Sequence, residues 1–522
     1  MKKKITSVFL AALALVGLVA CTPNVPSDPA SSVEPSTPSS SEPSSEVQPS
    51  EPSSEETSSE VPPVSSQEPV GHPYITEPTE IEIWATFNDT YGSVLKAFIE
   101  RFKELEPNVT VTYTKKSGSY DDLRESILTG FPANNYPDVA VCYPDHVAEY
   151  IEYNKVAKMD KYIDNADYGW TQDDKDDIIP LYLDEVTSYS VPGTWSLPFA
   201  KSSEAMFYNA SALINLNLSS VDATINDGNP LTEEYLANLT WEELFNKLCP
   251  ALIAYNNSLP AEEKFLLDDQ EYHGVFGYDS DDNLFITLSE QYGYPYTSLD
   301  QVTGVASVDF NNSGMKNLMK TFNQAYNNGY IVTKASCNNS YVNNLFTKKN
   351  LLFSVGSTGG TMYQYADDLF TVGVAPIPHA ENGDTSVINQ GPGMVVFKHG
   401  SENRELASWL FYKFITETDN TAYWATQTDY LPIRYSAFES EIYAEYSSIE
   451  DKEGEEVLKA KVAQLSVELT PDLYYSPAFK GSATCRTQVG SVMAQCLVEA
   501  NLTDEKLNQI FQTAYDQCIL AL

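Results

Sequence analysis

The chain has 522 residues and a formal charge of −42, from 73 acidic and 31 basic side chains. This acid excess disfavours nucleic acid and anionic lipid surfaces as partners, because phosphate groups attract the opposite charge. Hydrophobic residues make up 42% of the sequence, enough for two folded domains beside a non-globular segment.

The N-terminus has the pattern of a bacterial export signal. Residues 2–4 are lysines, and residues 8–20 form an apolar run that is short for a membrane span. The run ends Leu18-Val19-Ala20-Cys21, which resembles a lipobox, in which the cysteine is acylated and becomes the new N-terminus. We therefore predict a lipoprotein signal peptide over residues 1–20, a lipid anchor on Cys21, and a location on the extracellular face of the cell membrane.

Residues 21–76 consist largely of Ser, Pro and Glu. No lysine or arginine occurs between Lys4 and Lys96, and large apolar residues are scarce in this segment. Such a composition buries too little surface to offset the entropy cost of ordering the chain. We predict a disordered tether that holds a folded body away from the membrane.

The remaining cysteines are scattered along the body. They show no CxxC pair and no histidine spacing typical of zinc, so neither a structural metal nor a cofactor is expected. Export permits disulfides, but the sequence does not say which of the six pair, or whether they stay free. They are Cys142, Cys249, Cys337, Cys485, Cys496 and Cys518.

From residue 79 onward, β-rich apolar runs alternate with apolar positions at helical spacing, which predicts layered α/β structure. The predicted strands cover residues 81–87, 109–113, 138–143, 351–355, 371–375 and 394–397, and the predicted helices residues 91–105, 120–128, 145–153, 404–416 and much of 455–522. Thr240 and Glu243 have the spacing of a capping box at another helix start.

Residues 196–209 lie between the two halves of the body. A Pro-containing turn with Lys201, Ser202 and Ser203 leads into the apolar strand of residues 205–209. The polar part offers hydroxyls and an ammonium to a ligand, and the strand carries the chain onward. We predict that this stretch is both a hinge and a wall of a ligand pocket.

Enzyme signatures are missing from the sequence. The glycine-rich run of residues 356–360 contains neither a GxSxG elbow nor a phosphate-binding Gly-Lys-Ser. It reads as a strand-to-helix turn or as a helix N-terminus that presents N–H groups to a ligand. The five histidines are isolated, so no catalytic residue is assigned and we do not predict an enzyme.

The acidic run of residues 279–283 has two interpretations. With Asp279 as loop position one, Asp281, Asn283 and Glu290 fall where an EF-hand places its oxygen ligands. Leu284, however, stands where that loop needs glycine for its sharp turn. A loop that faces solvent or the ligand is the alternative, and we assign no metal.

An ordered set of motifs resembles a known family. The motifs are Ile83-Trp84, Gly118-Ser119-Tyr120, Pro137-Asp138-Val139, Phe207-Tyr208-Asn209, Thr240-Trp241-Glu242-Glu243-Leu244, Gly373-Val374-Ala375-Pro376-Ile377-Pro378, Gly391-Pro392-Gly393, Ala407-Ser408-Trp409 and Thr428-Asp429-Tyr430-Leu431-Pro432-Ile433-Arg434. Together they are similar to the extracellular solute-binding proteins (family 1) of bacterial ABC importers, in the branch that handles sugars and glycerol-3-phosphate.

The resemblance implies a two-lobed, type II periplasmic-binding-protein-like α/β fold, with hinge strands and a ligand cleft between the lobes. Lobe one would comprise residues 79–206 and 387–430, and lobe two residues 207–386 and 431–522. It further implies a monomeric, non-catalytic receptor whose partners are a small-molecule solute and the ABC permease subunits.

The resemblance also implies a set of pocket residues. Carried over from the glycerol-3-phosphate branch are Tyr120, Lys201, Ser202, Ser203, Gly356, Ser357, Gly391, Tyr430 and Arg486. Asp282 and Phe285 stand where that branch has two tryptophans. Trp84, Tyr120, Phe285 and Tyr430 are the aromatics expected to stack on a sugar ring.

The expected ligand follows from the charges of these residues. Lys201 and Arg486 suit a phosphate, because arginine pairs two of its oxygens at once. The acids from Asp279 to Asp282 would repel a phosphate and accept hydrogen bonds from hydroxyls. A neutral carbohydrate is therefore the first expectation. Glycerol-3-phosphate or a glycerophosphodiester is the alternative, and a surface adhesin or a glycosidase remains a further one.

Overall fold

Two separate β-sheets, each with helices around it, form the centre of the computed structural model, which describes residues 71–267, 272–381 and 383–522. The predicted signal peptide, the lipid anchor on Cys21 and the predicted tether up to residue 70 lie outside the described residues.

The strands are β1 (Thr79–Ala85), β2 (Val109–Lys115), β3 (Val139–Cys142), β4 (Glu204–Asn209), β5 (Phe276–Tyr278), β6 (Thr297–Leu299), β7 (Ala306–Val308), β8 (Ile331–Thr333), β9 (Phe353–Ser357), β10 (Val372–Ala375), β11 (Val387–Ile388), β12 (Gly393–Val396) and β13 (Leu473–Tyr474). The helices of the first half are α1 (Asp89–Leu105), α2 (Tyr120–Gly130), α3 (Pro144–Glu152), α4 (Asp160–Ile163), α5 (Gln172–Asp177), α6 (Pro180–Thr187), α7 (Ala210–Leu213), α8 (Glu233–Ala237), α9 (Trp241–Glu243) and α10 (Cys249–Ser258). Those of the second half are α11 (Asp281–Gln291), α12 (Ser313–Asn327), α13 (Asn343–Phe346), α14 (Glu402–Ile415), α15 (Thr418–Thr428), α16 (Tyr435–Phe438), α17 (Glu441–Ser447), α18 (Glu455–Leu469), α19 (Ser482–Val498) and α20 (Asp504–Ala521).

A π-helical turn, Leu244–Leu248, joins α9 to α10. Short 3₁₀ helices cover Phe131–Ala133, Ile225–Gly228, Ala261–Glu263, Ala335–Cys337, Thr358–Gln364, Asp367–Leu369 and Thr470–Asp472.

The strands and helices predicted from the sequence lie close to their expected positions. Helix α1, for example, begins two residues before the predicted start because the Asn88 side chain caps it by accepting from the Tyr91 N–H.

The first sheet has the strand order β12-β3-β1-β2. Strand β1 pairs in parallel with β2 and β3, and β12 is antiparallel to β3. Helix α1 packs on this sheet with its apolar face, which includes Leu95, Phe98 and Phe102. Buried Asp138 anchors α14 to the sheet, because both of its oxygens accept from Arg404, at 2.6 and 2.7 Å.

The second sheet has the order β10-β4-β9-β5-β8. Strand β4 is buried along its whole length and lies antiparallel to β10 and β9. Strands β5, β8 and β9 are parallel. At the start of α9, Thr240 accepts from the Glu243 N–H at 3.0 Å, as the capping pattern predicts. The Glu243 carboxylate accepts instead from the Tyr235 hydroxyl.

Two crossings of the chain run side by side between the sheets. Leu197 pairs with Met394, and Ser202 with Gln390, in antiparallel bridges. Gly391 lies in the second crossing with φ at +94°, and a Cβ on it would lie 2.1 Å from the Ala200 carbonyl oxygen. Only glycine fits there, since a side chain would force the crossings apart.

Residues 71–76, which the sequence assigns to the tether, lie against the first sheet region. The N–H groups of Tyr74 and Ile75 donate to the Glu106 carboxylate at 2.8 and 3.0 Å, and Ile75 is buried. The folded body therefore begins before residue 76. The two N–H groups also compensate the buried negative charge of Glu106.

Candidate ligand-binding cleft

A polar cavity of about 550 Å³ lies where elements of both sheets meet. This volume is within the range of small-molecule sites in proteins. Several of its residues directly follow the carboxyl ends of parallel strands, the edge at which α/β sheets commonly bind ligands. Residues near the two crossings and along α19 complete the lining.

The cavity wall on the side of the first sheet consists of residues that follow β3 and residues at the start of α2. Tyr143 and Asp145 come directly after β3, and Tyr120 begins α2, which Ser119 caps. The rings of Tyr120 and Tyr143 pack edge to face, with their centroids 4.9 Å apart. Asp145 accepts from the His146 N–H at 3.0 Å. The wall thus combines aromatic faces with carboxylate oxygens, a combination that suits a polyhydroxylated ligand.

The wall from the second sheet contains acids that are held by neutral donors. Asp279 follows β5 and accepts from the Val342 N–H at 2.7 Å. Asp281 begins α11 and accepts from the Thr333 hydroxyl and the Ala335 N–H. Burial raises the pKa of Asp279 to about 6, and it raises the pKa of Asp281 as well.

Arg486 projects from α19 into the cavity and is already paired. Its Nε lies 2.7 Å from Asp282 Oδ2, and its Nη2 donates to Asn283 Oδ1. Burial works against the charged guanidinium, but the negative charges of Asp282 and Asp145 outweigh it and raise the pKa of Arg486. The guanidinium therefore reaches the cavity as one half of an ion pair.

Asn283 connects this pair to a buried carboxyl at the start of β4. Its Nδ2 donates to Glu204 Oε1 and to Gln390 Oε1, each at 2.8 Å. The Tyr278 hydroxyl donates to the other oxygen of Glu204. Burial raises the pKa of Glu204 to about 7, against the effect of these donors. The network joins the second sheet to the crossing that holds Gln390.

A second buried pair lies behind the cavity surface. Lys201 Nζ lies 2.6 Å from Glu185 Oε2 and 3.2 Å from the Gly391 carbonyl oxygen. Glu185 lines the cavity from α6 and accepts from Asn389 Nδ2 at 2.9 Å. Burial raises the pKa of Glu185, while Lys201 counteracts the shift. Lys201 thus neutralises a cavity carboxylate from behind.

The sequence of the folded body matches a protein-family profile. The sequence profile described as bacterial extracellular solute-binding protein matches residues 97–450, more than half of the chain. The chain belongs to this family. No curated protein sequence matches it at the significance required.

Solved structures share the fold of this solute-binding protein. UgpB from Mycobacterium tuberculosis, in complex with glycerophosphocholine, has a TM-score of 0.63 at 16% identity, covering 85% of this chain and 98% of that one. The GacH receptor of Streptomyces glaucescens, solved unliganded and with acarbose, has a TM-score of 0.62 at 18% identity, covering 85% and 98%. Maltose-bound T. maritima MalE3 has a TM-score of 0.61 at 15% identity, covering 85% and 100%. The two-lobed α/β fold expected from the sequence is therefore confirmed.

Four of the sequence-predicted site residues of the solute-binding protein line the cavity. They are Tyr120, Asp282, Gly391 and Arg486. Tyr430 is not in the lining, because its ring packs against Trp424 and Tyr91. Lys201 acts from behind, through Glu185.

Two of the predicted aromatics lie in packed cores rather than in the cavity lining. Phe285 is fully buried on α11 between Phe310 and Phe511. Trp84 is buried beside β3, and Lys116 Nζ lies 3.6 Å from the centroid of its ring. Neither ring presents a face to the cavity, so the stacking expected of them does not fit these positions.

The predicted small residues stabilise the crossing. The Ser203 hydroxyl donates to the Ile388 carbonyl at 2.9 Å. The Ser357 hydroxyl donates to Ser202 Oγ at 3.3 Å and accepts from the Gly359 N–H, so it begins the 3₁₀ helix. Gly356 pairs with Ala205 inside the sheet. These groups bond to protein partners, and none is in the cavity lining.

Several lining residues carried no assignment from the sequence. They include Tyr143, Asp145, Glu185, Tyr296, Lys334, Asn389 and Gln390. Asp145 and Lys334 follow β3 and β8 directly, so the rule about the carboxyl ends of parallel strands could have indicated them. Glu185, inside α6, has no such signal.

Two further features bear on the alternatives. Within residues 71–267, 272–381 and 383–522, no group of three or more His, Cys, Asp or Glu side chains could hold a metal ion. The oxygens of Asp279 and Asp281 that suggested calcium accept from protein donors instead. No helix in these same ranges is long and apolar enough to cross a membrane.

Proposed function

We propose that this protein is a lipid-anchored extracellular receptor of an ABC importer, which binds a carbohydrate and delivers it to the permease subunits. The observation that carries the proposal is the polar cavity between the sheets, in which Arg486 is already paired with Asp282 and Glu185 is paired with Lys201 behind it. Acylated Cys21 would be the anchor, and residues 21–70 the tether.

Hydrogen-bonding capacity favours a sugar. Carboxylates, amides and hydroxyls in the cavity lining, such as Asp282, Asn389 and Ser482, accept from and donate to hydroxyl groups. Tyr120 and Tyr143 add faces against which a sugar ring can pack. Of the predicted site residues, we assign direct ligand contacts to Tyr120, Asp282, Gly391 and Arg486. Lys201 and Tyr430 act as positioning residues.

The lobe boundaries are part of the same proposal. Lobe one comprises residues 79–206 and 387–430, and lobe two residues 207–386 and 431–522. The side-by-side crossings at Leu197–Met394 and Ser202–Gln390 support a hinge between them. Closure of the lobes around ligand would be a shift between open and closed populations, and the closed form would meet the permease.

A glycerol phosphate is the second candidate, and it rests on Arg486 in the cavity lining. The fold neighbour from M. tuberculosis was solved with glycerophosphocholine, whereas the neighbours from S. glaucescens and T. maritima were solved with acarbose and maltose. Arg486 here lies against Asp282, and a phosphate would have to compete with that carboxylate. We therefore place the sugar first.

Calorimetry of the purified full-length protein separates the two candidates. The titrants are a panel of mono- and oligosaccharides, with glycerol-3-phosphate and glycerophosphocholine alongside. The proposal predicts heat of binding from at least one sugar and none from the phosphoesters at the same concentration. Tight binding of a phosphoester with no binding of any sugar would overturn it. The companion variant is Arg486→Ala. If it binds every ligand with the affinity of the wild type, the phosphoester candidate is excluded.

A further inference from the structure

The cavity lining contains more negative charge than its cations balance. Six carboxylates line it, those of Asp121, Asp145, Glu185, Asp279, Asp281 and Asp282. Lys334 and Arg486 are the lysine and arginine side chains in the same lining, and Lys201 lies behind it. Lys334 Nζ lies 3.8 Å from the centroid of the Tyr341 ring.

The imbalance is clearest at one corner, around Asp145, Glu185 and Asn389. Lys201 is ion-paired with Glu185, and Arg486 is ion-paired with Asp282. Asp145 makes no ion pair with a lysine or arginine in the described part of the chain; its carboxylate lies 3.8 Å from His146 Nε2 and acts from a longer distance on Arg486, which is already paired with Asp282. The negative charge of Asp145 adds to burial in raising the pKa of Glu185.

An unsatisfied acceptor occupies the same corner. Asn389 is 5% exposed and lines the cavity. Its Nδ2 donates to Glu185, while its Oδ1 is buried and has no hydrogen-bond partner in the described structure. A buried amide oxygen without a donor is costly, and binding a donor there would recover that free energy.

We infer that the ligand, if it is the carbohydrate of the proposed function, carries a protonated amine that binds beside Asp145, Glu185 and Asn389. An ammonium group supplies three donors and one positive charge. It therefore satisfies the amide oxygen and balances the extra carboxylate, whereas a hydroxyl supplies one donor and no charge. An amino sugar, or another polyhydroxylated amine, is the chemical class that fits.

Matched disaccharides test the inference on the full-length protein. For both α-1,4 and β-1,4 linkages, glucosamine, N-acetylglucosamine and glucose disaccharides are titrated calorimetrically at pH 7.5 and low salt. The free-amine member should bind at least about tenfold tighter than both partners of its set, and added salt should reduce that ratio. Asp145→Asn should reduce the ratio to within about threefold, while exposed Asp173→Asn, with the same charge change, should leave it.

The outcomes distinguish a failure of the amine inference from a failure of the carbohydrate-receptor proposal. Equal or tighter binding of the hydroxyl or acetylated member overturns the amine and leaves the carbohydrate receptor standing. Binding of glycerol-3-phosphate with no sugar bound overturns both. A result in which none of these disaccharides, and no sugar of the wider calorimetric panel, binds also contradicts both.

A second inference concerns two buried cysteines and does not depend on the ligand. Helices α19 and α20 follow each other through a short link and pack together. A Cβ on Gly481 would lie 3.0 Å from the Ala521 carbonyl carbon, so the start of α19 lies against the end of α20. Cys485 is one turn beyond Gly481, and Cys518 is about one turn before Ala521.

The antiparallel register therefore brings the two thiols together. Both are fully buried free thiols, and each acts electrostatically on the other. We propose that Cys485 and Cys518 form a disulfide as the exported chain folds. In the reaction, the two thiols lose two protons and two electrons to the disulfide of a thiol–disulfide oxidoreductase or a small disulfide, which is reduced to two thiols. The bond would fix α19 next to Arg486.

Alkylation of the unfolded, unreduced protein, followed by mass spectrometry, tests this pairing. The exported full-length protein should show four free thiols among the six cysteines from Cys142 to Cys518, and a peptide that links Cys485 to Cys518. Cys496→Ser should keep that peptide, and Cys518→Ser should lose it and leave Cys485 free. Six alkylated cysteines in the exported protein, or a linked peptide with another pairing, would overturn the proposal.

Discussion

Lys201 Nζ lies 2.6 Å from Glu185 Oε2, and both side chains are buried, Glu185 in the cavity wall and Lys201 behind it. Lys201 thus lies beneath a cavity carboxylate and not in the cavity itself. A ligand would meet Glu185 and Asn389, with the lysine acting through them.

Lys201→Met should strongly destabilise the protein, because it leaves Glu185 buried without its counter-charge. We expect a loss of about 3–5 kcal/mol in the free energy of unfolding, measured by chemical denaturation. The control is Lys115→Met, whose partner Asp89 is 96% exposed, and its loss should be several times smaller because solvent screens the exposed pair. If both variants lost the same free energy of unfolding, the buried pair would contribute no more to stability than the exposed pair.

Glu204 should make stability depend on pH. Its folded pKa of about 7 lies above the ordinary value of 4.5 for a glutamate, so the folded state favours the protonated carboxyl. The stabilisation is complete below about pH 4.5 and is lost as the pH rises through 7, at up to about 1.4 kcal/mol per pH unit.

Glu204→Gln should flatten this dependence, since the glutamine stays neutral. Its amide can accept from Asn283 and donate to the Tyr278 hydroxyl, and the charged groups that face the site, Asp282 and Arg486, are unchanged. Tm measured from pH 5 to 8 should fall in the wild type and less in the variant. The exposed control Glu262→Gln should follow the wild type. Parallel curves for all three proteins would refute the assignment.

Asp282→Asn should raise the affinity for a phosphoester. The substitution removes the carboxylate that lies 2.7 Å from Arg486 Nε, which leaves the guanidinium free to pair with a phosphate. Calorimetry should show binding of glycerol-3-phosphate at a concentration at which the wild type gives no heat. Asp173→Asn makes the same charge change on the exposed surface and should show none. No gain in Asp282→Asn would mean that the ion pair does not limit phosphate binding.

Gly391→Ala should disrupt the side-by-side crossings. Gly391 and Gly400 both have positive φ, at +94° and +74°, but only at Gly391 does a Cβ meet neighbouring backbone, 2.1 Å from the Ala200 oxygen. Gly400→Ala should therefore cost only the backbone strain, about 1–2 kcal/mol. Gly391→Ala should cost clearly more in denaturant unfolding and should weaken sugar binding. Similar losses in the two variants would contradict a role for the close approach.

Much of the fold follows from patterns that are local in sequence. The alternation of apolar runs with helical spacing predicted strands such as β4 and helices such as α1, because each element buries one face or both. The carboxyl-end rule explains why residues after β3 and β8 line the cavity. These signals need only short windows of the chain.

The parts of the site that were not predictable depend on distant partners. Phe285 follows an acidic run in the sequence. Its ring packs against Phe310 and Phe511, so residues distant in sequence determine that this face of α11 is buried. The role of Lys201 depends on Glu185, sixteen residues earlier on α6, and no local pattern connects them. Burial and ion pairing of polar side chains are set by tertiary contacts, so the sequence supplied the residue types but not their exposure.

The most direct test of the carbohydrate-receptor proposal is a crystal structure of the protein with the tightest-binding sugar of the calorimetric panel. The sugar should lie between the lobes, in contact with Tyr120, Asp282 and Arg486, and Lys201 should still be paired with Glu185. A sugar bound outside this cavity, or a phosphoester found in it against Arg486, would contradict the account.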